Sequence, residues 1–121
     1  MTHHMKLQPD PFKNISSGRK TIELRLYDEK RQRIRPGDTI IFSNLENPNA
    51  TVSVTVLKLF CFRNFTELFA SLPLEKCGYS EAELPSASAS DMNIYYSEED
   101  QRRYGVVGIE IALIEKGTEI Y

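Results

Sequence analysis

The feature that most constrains the fold is the run TVSVTVLKLFCF, residues 51–62, which has a strong β-strand composition. The apolar residues first share one face of the strand, at Val52, Val54 and Val56. They then change phase, to Leu57, Leu59 and Cys61. A change of face within one strand predicts a bulge or strong bend near Val56–Lys58, as found where strands cross between sheets or close a barrel.

Shorter patterns predict the other elements. Alternation predicts strands over 21–27 and 39–43, and a last strand whose inward set is Val107, Ile109, Ile111 and Leu113. Capping residues predict a short helix from Asp10 to Gly18, a second beginning at Asn64 or Thr66, and a third from Asp91 to Gly105. The sequence RPGD predicts a tight turn at 35–38, and the Ser/Ala stretch 86–90 is predicted to be a mobile loop.

These elements predict an α+β fold, with about five strands in a bent or closed sheet and short helices at one side. The predicted core contains Ile22, Leu24, Leu26, Ile41, Val54, Ile109 and Ile111. Residues 1–121 are predicted to form a single domain, in which residues 1–6, including His3 and His4, are disordered because nothing apolar ties them down.

The composition excludes several classes of protein. The chain has 40% apolar and 26% charged residues, no apolar run long enough to cross a bilayer, and no signal-peptide pattern at its start. Its two cysteines form no C-x-x-C, so we expect a reduced, cytoplasmic protein with Cys61 in the core and Cys77 exposed in a loop. Metal-ligand and phosphate-loop motifs are absent, and no metal or other cofactor is expected.

Positive charge is concentrated in one segment of this weakly acidic chain. Residues 19–35 contain seven basic and three acidic side chains, a net charge of +4, whereas the whole chain carries −2. A local basic patch on an acidic body can attract a polyanion in one orientation. The alternative is a solvated segment with scattered ion pairs, which contribute little to stability.

The strand over 21–27 carries the candidate site. Glu23 and Arg25 fall on one face, roughly 6.5–7 Å apart. Arg19 and Lys20 lie at the turn before the strand, where Gly18 permits close approach of a ligand. Two interpretations remain: a cleft that faces a ligand, or a structural ion pair on an exposed sheet face. The remaining candidates for binding are Tyr27, which could stack on a base, and the basic residues Arg33 and Arg35.

Two further sets of residues are weaker candidates. Tyr95, Tyr96 and Tyr104 are predicted to pack the last helix, with a tyrosine at the rim of the cleft as the alternative. Glu67 and Glu75 are candidates for a second carboxylate in the site, although nothing in their spacing singles either out.

The sequence resembles an ASCH domain in two places. The first is GRKTIELR, in which Gly18, Lys20, Glu23 and Arg25 carry the motif G-x-K-x-x-E-x-R, followed by PGD before the next strand. The second is the ending YYSEED…RYGVVGIE. The resemblance implies a PUA-like β-barrel with helices at its mouth. It also implies RNA-related work, namely binding, processing or hydrolysis of a modified nucleoside.

The predicted function is binding of RNA, a nucleotide or a nucleoside in a basic cleft around this motif. The binding residues are Arg19, Lys20, Arg25, Tyr27, Arg33 and Arg35. The first alternative is a hydrolase acting on N4-acetylcytidine or RNA, in which Glu23 is the general base and Lys20 stabilises the oxyanion.

The family resemblance also shows a departure. Its amidohydrolases use a Thr where this chain has Glu23, so hydrolysis would need a changed mechanism. We expect Lys20 to lower the pKa of Glu23 and keep it ionised. A protein-interaction module is the second alternative, and no membrane partner is expected.

Overall fold

The protein is described by a computed structural model over residues 1–114. One sheet contains β1 (Thr2–Leu7), β2 (Ile22–Leu26), β3 (Thr39–Asn44), β4 (Thr51–Phe62) and β5 (Val106–Leu113). Its order is β1-β3-β4-β5-β2, so β1 and β2 are its edge strands. The β1–β3 pair is parallel and the other three pairs are antiparallel.

The predicted bulge in β4 is confirmed, because the pairing of β4 with β5 shifts register between Val56 and Lys58. The sheet curls into a half-barrel, which confirms the predicted PUA-like α+β fold. The two edge strands meet through a side chain: Arg25 Nη2 on β2 donates to the Lys6 carbonyl oxygen on β1 at 2.9 Å. No strand ladder joins β1 to β2, and this hydrogen bond connects them instead. The line along which β1 faces β2 is called the seam below.

Three short helices flank the sheet: α1 (Pro9–Ser16), α2 (Phe65–Ser71) and α3 (Glu98–Tyr104). Between them lie 3-10 turns at Arg31–Arg33, Leu74–Cys77, Leu84–Ser86 and Ala89–Ile94. The Asn64 side chain caps α2 by accepting from the Glu67 amide, as predicted. Within residues 1–114, none of the helices has the length and apolar character needed to cross a membrane.

Two helix boundaries were predicted wrongly. Asp10 lies in the first turn of α1 and does not cap it; the extended residue before the helix is Gln8. Proline lacks an N–H and fits the first turn, so Pro9 starts the helix earlier than the Asp signal suggests. The predicted third helix is two pieces, because the Ser97 side chain accepts from the Asp100 amide and starts α3 anew.

The Ser/Ala stretch was predicted to be a mobile loop, but part of it is hydrogen-bonded. Ser88 and Asp91 form a capping box at the start of the turn Ala89–Ile94, which buries Met92. The local composition suggested mobility because small residues are frequent in loops, whereas the box fixes the turn through side-chain to backbone bonds.

The buried residues form two clusters, one on each side of β2 and β5. The interior cluster fills the curl of the sheet with Met5, Leu7, Ile15, Ile34, Ile40, Phe42, Val54, Val56, Val107, Ile109 and Ile111. The outer cluster joins the sheet to α2 and the 3-10 turns with Ile22, Leu24, Leu26, Phe65, Leu68, Cys77, Met92 and Val106. Because successive side chains of a strand point to opposite faces, the outward packing of Ile22 and Leu24 turns Glu23 and Arg25 to the inner side of the curl.

Six of the seven predicted core residues are buried, and Ile41 is the exception. The alternation of β3 has the opposite phase, in which Ile40 and Phe42 are fully buried and Ile41 is half-buried. Two adjacent isoleucines leave the phase of a short strand undetermined, so tertiary packing decided it.

The prediction that residues 1–6 are disordered was wrong. They contribute to β1, which pairs in parallel with β3 and buries Met5 and Leu7. His3 Nε2 lies 2.8 Å from Asp38 Oδ2. This bond and the Arg35 amide hold the pKa of Asp38 at about 2, below its ordinary value. An alternation of only two apolar residues is too short to predict a strand, and its partner β3 is distant in sequence.

The two cysteines exchange the predicted positions: Cys61 is exposed and Cys77 is buried. The change of phase at the bulge was expected to turn Leu57, Leu59 and Cys61 inward, but of these three only Leu59 packs against the interior cluster. Cys77 ends the turn Leu74–Cys77 within the outer cluster. Burial raises the pKa of the Cys77 thiol to about 11, so it is protonated at neutral pH.

Gly105 connects α3 to β5 and should tolerate no side chain. Its φ of 71° and ψ of −171° lie in a region that is nearly exclusive to glycine. A Cβ would stand 3.0 Å from the Phe62 carbonyl oxygen, which belongs to backbone and cannot move aside cheaply. We expect Gly105→Ala to lower the free energy of unfolding by about 1–3 kcal/mol, measured by urea unfolding. Gly37→Ala is the control for positive φ alone, because nothing lies within 4 Å of its Cβ position; equal losses would contradict the steric argument.

Candidate functional site

An open cleft of about 1290 Å³ lies at the seam of the barrel. One wall consists of the end of β1, the helix α1 and the first half of β2, and the other consists of residues from Glu75 to Tyr96. Pockets for small molecules typically measure about 300–1,000 Å³. The cleft is therefore large enough for a ligand that extends beyond one small molecule.

A buried ion cluster forms the floor of the cleft. Glu23, only 3% exposed, accepts at both carboxylate oxygens: Lys20 Nζ lies 2.8 Å from Oε1, and Arg25 Nε lies 2.8 Å from Oε2. Arg25 also donates to the Lys6 carbonyl oxygen at 2.9 Å. The sequence motif thus becomes a charged triad, Lys20–Glu23–Arg25, with a formal charge of +1.

Backbone hydrogen bonds place Lys20 at the floor. Gly18 lies just after α1 and has a φ of 79°, and the Lys20 amide then donates to the Asn14 carbonyl at 3.0 Å. The next amide, that of Thr21, donates to the Lys76 carbonyl at 2.9 Å, which joins this turn to the opposite wall. Gly78 makes room for the lysine, since a Cβ there would stand 3.1 Å from Lys20 Cδ. The position of Lys20 is therefore fixed by both walls.

The electrostatics of the triad keep Glu23 ionised. Burial by itself would raise the pKa of the carboxyl, but the charges of Lys20 and Arg25 outweigh it and hold the pKa below the ordinary value of 4.5. The direction agrees with the one expected from the sequence. Because both oxygens already accept from cations, Glu23 is better suited to orienting Lys20 and Arg25 than to removing a proton from water.

Tyrosines and carboxylates form much of the opposite wall. The Tyr79 hydroxyl donates to Asp91 Oδ2 at 2.8 Å, and burial together with this bond raises the pKa of Tyr79. The Tyr96 ring stacks on buried Phe65, with centroids 6.1 Å apart and planes 17° from parallel. Tyr95 stands at the outer rim and is 59% exposed. This wall offers aromatic faces and hydrogen-bond acceptors.

The structure brings together some of the predicted binding residues and separates others. Arg19, Lys20 and Arg25 line the cleft together with Glu23. Tyr27 packs against the interior cluster, and Arg33 and Arg35 are exposed on the segment between β2 and β3. Arg31, from the same segment, pairs with Asp28. None of these four residues lines the cleft: Tyr27, Arg31, Arg33 and Arg35. The basic run in the sequence therefore does not form one surface.

The charge of the cleft is also more balanced than expected. Its basic lining residues are Lys6, Lys13, Arg19, Lys20 and Arg25. Its acidic lining residues are Asp10, Glu23, Glu75, Glu83 and Asp91. The cations lie on the wall of β1, α1 and β2, whereas Glu75, Glu83 and Asp91 lie on the other wall. The cleft is therefore polarised across its width instead of basic throughout.

Sequence reasoning missed several of these residues. Lys6 belongs to the terminus that was predicted to be disordered, Tyr79 was given no role, and Asp91 was expected only to begin the third helix. Of the two carboxylates considered, Glu75 lines the cleft, whereas Glu67 pairs with Arg63 at 2.6 Å elsewhere. The pattern S-x-x-D at Ser88–Asp91, which is typical of a capping box, was the one local signal that the turn leading to Tyr95 is ordered. Among residues 1–114, no group of three His, Cys, Asp or Glu side chains is placed to hold a metal.

The curled sheet and the cleft at its seam define the class of protein, a PUA-like α+β barrel. The ASCH domain family model matches residues 5–115. The chain therefore belongs to the ASCH domain family.

Solved structures agree with this assignment. Hypothetical protein PH0355 is 36% identical, with 94% of this chain and 100% of that chain covered and a TM-score of 0.77. Protein PF0455 from Pyrococcus furiosus is 33% identical, with coverages of 96% and 100% and a TM-score of 0.67. The ASCH protein from Zymomonas mobilis shares the fold at 16% identity, over 92% of this chain and 66% of that chain, with a TM-score of 0.61. No curated protein matches the chain.

Proposed function

We propose that this ASCH domain protein binds RNA or a nucleotide in the cleft at the seam. The observation that carries the proposal is the triad Lys20–Glu23–Arg25, a preorganised cluster of charge +1 on the floor of an open cleft. Arg25 uses two of its five N–H donors in the contacts with Glu23 and the Lys6 carbonyl. Lys20 uses one of its three in the contact with Glu23. The other donors are left for an anionic ligand.

The polarised lining fits a nucleotide in one orientation. Lys20 and Arg25, with Arg19 and Lys13 nearer the rim, offer charge and a planar fork to phosphate oxygens. Across the cleft, the Tyr79 and Tyr96 rings offer stacking surfaces and carboxylates accept hydrogen bonds from base amino groups. A free inorganic anion would use the first wall alone, so the second wall favours a ligand that carries a base.

The test compares two exposed pairs of cations that are matched in charge. Lys13→Ala/Arg19→Ala removes two positive charges from the cleft, and Arg33→Ala/Arg35→Ala removes two that lie outside it. We expect the first double variant to bind single-stranded RNA more weakly and the second to bind like the wild type. Titrations at several salt concentrations should give the first a log–log salt slope shallower by about 0.7 per lost phosphate contact.

Two results would count against the proposal. The first is no detectable RNA or nucleotide binding by the wild type at low salt. The second is an equal loss of binding in both double variants, which would indicate a diffuse charge effect instead of the cleft. A pull-down that is unaffected by nuclease would favour the interaction-module alternative.

Hydrolysis of N4-acetylcytidine or RNA in the same cleft is the second candidate function. It is favoured by the Lys20 ammonium, which stands at the cleft floor where it can stabilise a developing oxyanion. It is weakened by Glu23, whose two oxygens are both occupied. If the wild type turns over either substrate and Lys20→Ala abolishes that turnover, the result would support hydrolysis as the function. Absence of turnover on both substrates would leave binding as the function.

A further inference from the structure

We infer that the cleft has a second base-binding position at Tyr95, so that its ligand is a single strand of at least two nucleotides. The inference rests on the proposed function and specifies its ligand. The outer rim of the cleft carries two large, largely apolar side chains that are exposed: Ile94 is 80% exposed and Tyr95 is 59% exposed. Large exposed apolar side chains grouped at the edge of a cleft indicate a contact surface.

This rim is anchored from below. Met92, which is buried in the outer cluster, accepts at its carbonyl from the amides of both Tyr95 and Tyr96, at 3.1 and 3.0 Å. The capping box of Ser88 and Asp91 fixes the start of the same turn. The exposed Tyr95 ring is therefore presented by an ordered backbone, which lowers the entropy lost when a ligand stacks on it.

A second cavity of about 380 Å³ lies beside the cleft at Tyr95. Gln8, Asp10, Pro11 and Tyr95 line both spaces, so the two are adjacent. The connection runs beside the seam, from Arg25 through the Lys6 carbonyl to Gln8 at the start of α1. A strand whose phosphate lies on Lys20 and Arg25 can therefore extend along α1 toward Tyr95.

Charge favours a base over a second phosphate in the outer cavity. Its charged lining residues within the described chain, Asp10 and Glu46, are both acidic. They would repel a phosphate but accept hydrogen bonds from the amino group of a base. The cations Lys6 and Lys13 line the neighbouring part of the cleft, where the backbone would pass. An aromatic face beside acceptors, adjacent to cations, matches the chemistry of a nucleotide and not that of a purely apolar peptide.

The test uses two ligands of equal charge, the dinucleotide ApA and the methyl ester of AMP, with calorimetry as the measurement. We expect ApA to bind the wild type about 10-fold more tightly, as stacking of one base commonly contributes. Tyr95→Ala should remove this advantage and leave the binding of the methyl ester unchanged. Tyr95→Phe should retain the advantage because the ring remains. Leu57→Ala, an exposed apolar residue that does not line the cleft, should change neither affinity.

The outcomes separate the two proposals. If ApA binds no more tightly than the methyl ester, or if Tyr95→Ala weakens both equally, the second position is overturned and the proposed function stands. If neither ligand nor longer RNA binds, the proposed function fails and the inference fails with it. If Tyr95→Ala abolishes a nuclease-resistant association with protein and has no effect on ApA, the rim docks a protein and the inference is wrong.

Discussion

Glu23→Gln is expected to lower the free energy of unfolding by about 3 kcal/mol, because removing one partner of a buried ion pair leaves uncompensated charge. The Glu23 side chain is 4% exposed, and those of Lys20 and Arg25 are 11% and 14% exposed. Both cations would lose the negative charge that they share, and the amide of Gln, which has one acceptor oxygen, would turn its NH2 donor toward one of them. Urea unfolding at neutral pH measures the loss.

The matched control is Glu67→Gln, which removes the same charge from an exposed pair. Arg63 lies 2.6 Å from Glu67, but its side chain is 87% exposed. Exposed pairs contribute little, so the unfolding midpoint should not change measurably. Equal midpoints for the two variants would show that the triad is no more stabilising than a surface pair, and would contradict the prediction.

The effect of Glu23 should depend on pH in a defined direction. Its pKa in the folded protein lies below the ordinary value of 4.5, so the unfolded chain binds the proton more tightly. The stabilisation is fully present above about pH 4.5 and is lost as the pH falls through the folded pKa. The difference in unfolding free energy between wild type and Glu23→Gln should therefore shrink below pH 4.5. Other acids with lowered pKa values, such as Asp38, are common to both proteins and cancel in this difference.

Local patterns were sufficient for much of the fold. The change of face within residues 51–62 predicted the bulge at Val56–Lys58, and the motif from Gly18 to Arg25 predicted which side chains of β2 share a face. Both features depend on strand periodicity, which a sequence displays directly. The Lys20–Glu23 contact also follows from short sequence spacing, since both residues belong to one turn and strand.

The rest of the cleft depends on contacts between residues distant in sequence. Lys6 reaches the site because β1 pairs with β3 and the curled sheet brings β1 to β2, which no local pattern encodes. The basic run was misleading for a related reason. Its first part enters β2 and faces the seam, whereas Arg33 and Arg35 follow the strand on an exposed segment. Proximity in sequence was mistaken for a common surface.

The opposite wall should depend on one buried aromatic ring. Phe65 is 1% exposed, stacks on Tyr96 at 6.1 Å and meets Phe69 edge-on at 6.4 Å. Phe65→Ala removes the ring that joins α2 to the cleft wall and leaves a cavity beneath Tyr96. We expect the free energy of unfolding to fall by about 3–5 kcal/mol, the usual range for truncating a buried phenylalanine.

Phe65→Leu separates packing from the specific contact with Tyr96. Leucine retains most of the apolar burial, so its loss of stability should be clearly smaller, whereas neither variant can stack on the Tyr96 ring. If Tyr96 is held for ligand binding by that stack, Phe65→Leu should weaken nucleotide affinity under conditions where the protein is fully folded, as checked by circular dichroism. Unchanged affinity in a folded Phe65→Leu protein would show that the backbone bond from Tyr96 to the Met92 carbonyl is sufficient to position the ring. If Phe65→Leu loses as much stability as Phe65→Ala, the retained leucine side chain contributes nothing. That result would indicate that the cluster around α2 cannot adapt its packing to a smaller side chain.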